Sequence, residues 1–196
     1  MKFFKTFFNT LDQSIFRLVV KIAFPQYKRP RKGYMKHYQV LYRYFIMQKI
    51  IGFNRSVPWP VDFRSKILGW KHIKKGIMCD PGDNIGIYIN AYGGLQFGNN
   101  VNIGANTTIV TTNHYKYDHR KKSKTRGVKI GNNVWIGANC VILPGTIIGD
   151  EVTIGAGCVI KGNIPSRRTV VQADNNLKIT LKTKAYEWDI HKEKLT

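Results

Sequence analysis

The sequence predicts a mainly β fold, a parallel β-helix over residues 67–173, with a basic amphipathic helical extension (1–60) before it and a charged tail (174–196) after it. Three observations predict this. An aliphatic or aromatic residue, mostly followed by Gly, recurs every six residues at Phe97, Ile103, Ile109, Ile130, Ile136, Ile142, Ile148, Ile154 and Ile160. Four positions after most of these anchors stands a second small or β-branched residue, as at Val101, Thr107, Val134, Cys140, Thr146, Val152 and Cys158. The one long break in the frame lies between Ile109 and Ile130, where about 15 residues leave the repeat as an excursion loop (113–127).

A six-residue period excludes a helix, because residues six apart sit about 240° apart around 3.6-residue turns. A short strand plus a corner satisfies it. One such unit cannot bury its apolar face alone, so successive units must wrap a common axis and stack. Three sides make a coil of about 18 residues, which places Ile136 over Ile154, Ile142 over Ile160 and Cys140 over Cys158, about 4.8 Å apart. Gly after the anchor suits the tight corner. Upstream the same frame is weaker and reads Ile73, Cys79, Ile85 and Ala91 as anchors, with Ile77, Ile89 and Leu95 at the second position.

Before the prism, Phe3, Phe4, Phe7, Phe8, Leu11, Ile15, Leu18, Val19 and Ile22 recur at helical spacing opposite Lys2, Lys5, Asn9, Asp12 and Gln13, an amphipathic helix ending near Pro25. A basic linker leads to a second helical stretch through Tyr38, Leu41, Tyr42, Phe45, Ile46 and Ile50. The first 50 residues hold eleven Lys/Arg against one Asp. Such a segment either caps the open end of the solenoid or lies on an anionic membrane surface, where each basic residue contributes about 1 kcal/mol.

With 43% apolar residues in 196, the chain folds as one domain with an appendage despite a formal charge of +21. Cys79, Cys140 and Cys158 lack zinc-site spacing and fit a reducing compartment. No apolar run approaches the roughly 20 residues of a spanning helix, and the N-terminus lacks a signal-peptide pattern, so the expected location is the cytoplasm, with peripheral contact at the inner face of the membrane.

His114 opens the excursion in the string T-T-N-H-Y. An imidazole at the lip of a rigid prism, with an unperturbed pKa near 6.5, suits a general base at neutral pH. His119 is the rival base, set among Arg120, Lys121, Lys122 and Lys124. Trp135 precedes the inward Ile136 and therefore faces outward, where an indole invites a partner.

The strings G-L-Q-F-G-N-N-V-N-I-G-A-N-T-T-I-V-T-T-N-H and V-K-I-G-N-N-V-W-I-G-A-N-C-V-I-L-P-G-T-I-I-G-D-E-V-T-I-G-A-G-C-V-I-K resemble the hexapeptide-repeat acyltransferases, in particular the galactoside, maltose and chloramphenicol O-acetyltransferase group. The resemblance spans roughly residues 77–165. It implies a left-handed coil, which periodicity alone does not set. It also implies an acetyl-CoA-dependent O-acetyltransferase acting on a sugar or polysaccharide-precursor hydroxyl. Transfer would be direct, with His114 as general base. A homotrimer with sites between prisms and a sugar or lipid-linked glycan acceptor follow from the same resemblance.

Carried onto this sequence, the group's pattern puts Asn84 at the acceptor, although Asn in such a turn also serves backbone geometry. It puts Trp135, Ala138 and Ala156 along the pantetheine arm, with Lys161 near the phosphates. Arg167, Arg168 and Lys178 are further candidates for the cofactor's phosphates. Two features depart from the group: Tyr115 stands where many members have Asp after the catalytic His, leaving Asp118 or a backbone carbonyl to orient it, and the closing Gly-Asn-Pro-Ala element is missing after Pro165. A γ-type carbonic anhydrase shares this prism but needs three histidines for zinc, and only His114 and His119 are candidates, so no metal is expected. The alternative is a non-enzymatic polyanion binder, of nucleic acid or anionic lipid. The charge lies mostly in the N-terminal segment, the loop and the tail, which argues against nucleic acid along the prism.

Overall fold

The computed structural model describes residues 9–28, 35–115, 117–123 and 126–173, without the side chains of His119, Lys121 and Lys122. Its body is a three-faced stack of parallel coils. Face I carries Lys66–Leu68, Tyr88–Asn90, Thr108–Val110, Val141–Ile142 and Val159–Ile160, and face II carries Ile73–Lys74, Leu95–Phe97, Val128–Ile130, Ile147–Ile148 and Asn163–Ile164. Face III carries Val101–Ile103, Val134–Ile136, Thr153–Ile154 and Thr169–Val170. The chain visits the faces in the order I, II, III, and every pairing between coils is parallel.

The register follows from the hexad. Both specified positions point inward: Val134 with Ile136, Cys140 with Ile142, Val152 with Ile154 and Cys158 with Ile160 all lie in one buried core. Cys140 and Cys158 stack as expected, since Val141 pairs with Val159. Where the inward residue is Thr, its hydroxyl finds a carbonyl: Thr107 Oγ1 donates to Gly137 O at 2.9 Å and Thr146 Oγ1 to Leu143 O at 2.7 Å. Corner residues Asn100, Asn106, Asn133 and Asn139 adopt left-handed φ of 54 to 58°, the region that Asn tolerates by bonding its own backbone. Gly137 is needed for proximity: a Cβ there would lie 2.6 Å from the Ala156 nitrogen of the next coil.

The upstream frame differs from expectation. Ile89 pairs with Ile109 and Phe97 with Ile130, so Ile89 is an anchor and Ile87, which the frame omitted, is its buried second residue. The corner between Ile89 and Phe97 is two residues longer than a hexad, and the turn at Tyr92–Gly94 absorbs them. Ile77 is exposed and Ile85 half-buried. One residue beyond the paired Lys74, the inward place on face II is taken by Lys75, whose side chain is 3% exposed. Its Nζ lies 2.9 Å from Asp80 Oδ1 and 5.7 Å from the centroid of the buried Trp59 ring.

Two helices cap this irregular end. Helix α1 covers 9–23 and helix α2 covers 37–51, α-helical over His37–Val40 and widened to π hydrogen bonding over Leu41–Ile51. They share a small core of Val20, Phe24, Val40 and Tyr44. Asp12, buried, accepts from the Tyr38 N–H at 2.9 Å and contacts His37 Nδ1 at 3.1 Å, which pins α1 to the start of α2. The buried Gln48 side chain clamps α2 onto the following segment, donating to Trp59 O at 2.9 Å and accepting from the Val61 N–H at 2.8 Å. Tyr44 Oη donates to Asp83 O at 3.0 Å and so ties the cap to the prism.

Candidate functional site

The excursion at the corner between faces I and II carries a two-stranded hairpin. His114–Tyr115 runs antiparallel to Asp118–Lys122, with His114 opposite Lys122. Its root is fixed: Thr111 is buried, bonds Asn90 O and accepts the Gly93 N–H, while Asn113 O accepts both the Ser123 N–H at 2.9 Å and its hydroxyl at 3.1 Å. His114, three residues from buried Thr111, is therefore exposed on a clamped strand end. Its backbone N–H donates to Asn113 Oδ1 at 2.9 Å. The Asp118 carboxylate, one candidate for orienting the imidazole, is held by Arg120 at 3.0 and 3.2 Å. The rival His119 falls where no side chain is described, and Lys178 lies outside the described residues.

The other candidates sit elsewhere. Trp135 stands on face III, 59% exposed, between Asn102 on the coil below and Thr153 on the coil above. Ala138 and Ala156 fall at the corner between faces III and I, in a column continued below by Ala105, since the Asn139 N–H bonds Ala105 O and the Gly157 N–H bonds Ala138 O, each at 2.8 Å. Among the described residues the N–H groups of Ala138 and Ala156 make no hydrogen bond, so two main-chain donors are available along this strip. Asn84 belongs to the same corner one coil earlier. Its Oδ1 accepts from the Ile85 N–H at 2.9 Å and its Nδ2 reaches Ile103 O at 3.4 Å, so both ends of the amide already serve the turn. Lys161 lies at the corner of faces I and II, on the side of the hairpin.

A triangular section puts the corner of faces I and II opposite face III. One chain therefore brings Asn84 and Trp135 together, in a cleft of about 270 Å³, while His114 stands away from them. The same cleft contains residues that the sequence reading missed: Arg43 and Tyr44 from α2, and Asp83. Burial, reinforced by the nearby Asp80 carboxylate and opposed by Arg43, pushes the Asp83 carboxyl up to about 7. Burial also raises Asp80, against the pull of Lys75, and raises the Tyr44 phenol and the Cys79 thiol. The available signal was a lysine, Lys75, where the coils call for an apolar residue.

Residues 127–162 match the family of bacterial transferase hexapeptide repeats (six repeats). The hexapeptide prism is thus mainly β, a left-handed parallel β-helix with helices at its N-terminal end. Among solved structures, a hexapeptide-repeat-containing acetyltransferase of Vibrio cholerae complexed with acetyl coenzyme A is 24% identical over 56% of this chain and 63% of its own, with a TM-score of 0.46. A galactoside acetyltransferase in complex with coenzyme A is 28% identical over 56% and 58%, with a TM-score of 0.47. A maltose O-acetyltransferase of Clostridium difficile is 32% identical over 51% and 62%, with a TM-score of 0.38. In all three this chain spans less than two thirds of the relative's own length. No curated protein sequence matches the chain.

Proposed function

We propose that the hexapeptide prism is an acetyl-CoA-dependent O-acetyltransferase acting on a sugar or polysaccharide-precursor hydroxyl. The observation that carries this reading is the strip at the corner of faces III and I: a Gly-Ala column with two available N–H groups at Ala138 and Ala156, flanked by the exposed indole of Trp135. A pantetheine arm has the shape and the amide carbonyls to lie there. Lys161 would meet the phosphates from the side of the hairpin, and Asn84 would face the acceptor while holding its turn.

His114 stands at the far end of face I from that strip, so the reading requires a second copy whose hairpin reaches it. A head-to-tail interface of this kind closes into a ring, and a homotrimer repeats the same contact three times. In each site the His114 imidazole takes the proton of the acceptor hydroxyl, whose oxygen attacks the thioester carbonyl. The C–S bond breaks, the CoA thiolate takes a proton, and the products are an acetyl ester and free CoA.

The same reading places the enzyme at an anionic membrane surface. In α1 the residues Ile15, Leu18 and Ile22 are exposed on one stripe, beside Arg17 and Lys21. Flotation with phosphatidylglycerol vesicles but not with phosphatidylcholine vesicles, reduced by Leu18→Glu, is the expected result.

Release of free thiol from acetyl-CoA over a panel of sugars and lipid-linked glycans tests the activity. His114→Ala is expected to lower turnover by about 100-fold or more, the size of a general-base contribution. A variant as active as the wild type would transfer the role to His119. Failure of acetyl-CoA to bind would leave the polyanion-binding alternative.

A further inference from the structure

A second pocket, of about 370 Å³, opens on face II at the foot of the hairpin. Lys71, Lys74 and Lys129 stand around it, and Gly93, Gly94 and Gly127 line it with bare main chain. Among the described residues no Asp or Glu lines it and none of the three lysines is in an ion pair. Two of the three belong to a single outward column of the face, where Lys74 pairs with Gln96 and Gln96 with Lys129. Successive rows are about 4.8 Å apart, which sets these two lysines about 10 Å apart across a neutral amide. Like charges so placed repel one another and gain from an anion held between them.

The floor explains what can enter. The space where a Cβ of Gly94 would sit is open for 4 Å, and the pocket's other glycines crowd only main chain and Thr111. A compact group can therefore reach the bare main chain from between the lysines, where the side chains it meets are those of His72 and the uncharged Gln96. Lysine ammonium groups meet phosphoryl oxygens as mobile point charges, without the fixed fork of a guanidinium.

The position of the pocket ties it to the reaction. Gly127 is the residue at which the hairpin returns to the prism, and the Gly93 N–H bonds the hydroxyl of Thr111, three residues before His114. The pocket thus sits between the two roots of the strand that carries the base. It is separate from the Ala138–Ala156 strip, which lies at a different corner.

Resting on the acetyltransferase reading, we propose that the acceptor is a phosphorylated sugar and that its phosphoryl group is held on face II between Lys71, Lys74 and Lys129. The phosphate anchors the acceptor while one of its hydroxyls is presented to His114. The class of reaction that supplies such an acceptor is phosphoryl or glycosyl-phosphoryl transfer to a sugar.

Calorimetric titration of the full chain with glucose 1-phosphate, glucuronate and glucose, with and without saturating CoA, tests this. Glucose 1-phosphate is expected to bind in the presence of CoA, glucose and glucuronate much more weakly. The paired substitution Lys74→Gln with Lys129→Gln, both on the surface, is expected to weaken glucose 1-phosphate by about tenfold or more and to leave acetyl-CoA affinity unchanged. Undiminished binding by the variant, or no binding by the wild type, overturns the proposal. So does glucuronate binding as tightly as the phosphate. Displacement by CoA overturns it too, because the pocket would then be the cofactor's own phosphate site. Acetyl-CoA titrated in the same samples keeps the two readings apart: if acetyl-CoA binds and glucose 1-phosphate does not, only the acceptor assignment falls, and if wild type fails to bind acetyl-CoA, the acetyltransferase reading falls.

Discussion

Above the excursion, from Val128 to Ile160, the hexads repeat one solution: two inward residues, apolar except for Thr146, a Gly or Asn corner, and an outward residue free to vary. Below it, in the coil that begins at Ile73, one inward place goes to Lys75, which pairs with Asp80, and the corner lengthens by two residues before Phe97. The difference is one of neighbours. An upper coil has an identical coil on each side, so its own six-residue code specifies it completely. The first coil has a helical cap instead, and must fit Trp59, Tyr44 and Gln48, which no repeat supplies. Closing a solenoid is therefore where polar groups enter the core, and where a cleft with a perturbed carboxyl, Asp83, forms next to the repeat's own surface.

Substitutions in the two regions should separate them. The largest effect is expected from Lys75→Met, which leaves Asp80 without its partner: a loss of about 3–5 kcal/mol in urea unfolding at fixed protein concentration. Adding Asp80→Asn should restore most of it, because removing both members of a buried pair is far milder than removing one. If the single variant is as stable as the wild type, the ion pair contributes nothing to closing the coil.

Asp83 gives the next effect, and it depends on pH. Its folded pKa of about 7 lies above the ordinary 3.8, so the folded state holds the proton more tightly than the unfolded one. The stability this contributes is complete below pH 3.8 and is lost as pH rises through about 7. Between pH 5 and 8 the wild type should lose about 2 kcal/mol that Asp83→Asn does not lose. Parallel stability–pH curves for the two would contradict the shift. The smallest effect belongs to the regular coils: Ile154→Val, which removes one methylene from a position with identical coils around it, should cost about 1 kcal/mol at every pH.

The same contrast governs what was legible in the sequence. The upper coils could be read residue by residue, down to the stacking of Cys140 on Cys158 and the outward Trp135, because local period determines which way each side chain points. The upstream frame slipped by two at Ala91 because nothing in a six-residue rule announces that Tyr92–Gly94 makes a longer corner. The helical spacing anticipated α1 and α2, with Phe3, Phe4, Phe7 and Phe8 lying outside the described residues, but α1 has apolar residues on two sides, Val20 in the cap and Ile15, Leu18 and Ile22 outside. Of the candidate site, the places of His114, Trp135, Ala138 and Ala156 in the fold could be read as breaks or fixed positions in the repeat. Arg43, Tyr44 and Asp83 were not, since they meet only when a helix from residues 37–51 packs on a corner some 40 positions later in the chain.

In the proposed homotrimer, catalysis joins the His114 corner of one copy to the Ala138–Ala156 corner of another. Complementation tests it most directly. His114→Ala lacks the base and Ala156→Trp blocks the cofactor strip, so each variant alone should be inactive in thiol release from acetyl-CoA. Unfolded together in equal amounts and refolded as mixed assemblies, they should regain about a quarter of wild-type activity, the fraction of interfaces that pair an intact His114 with an intact strip. No recovery in assemblies proven to be mixed would place both halves of the site on a single chain and contradict the account.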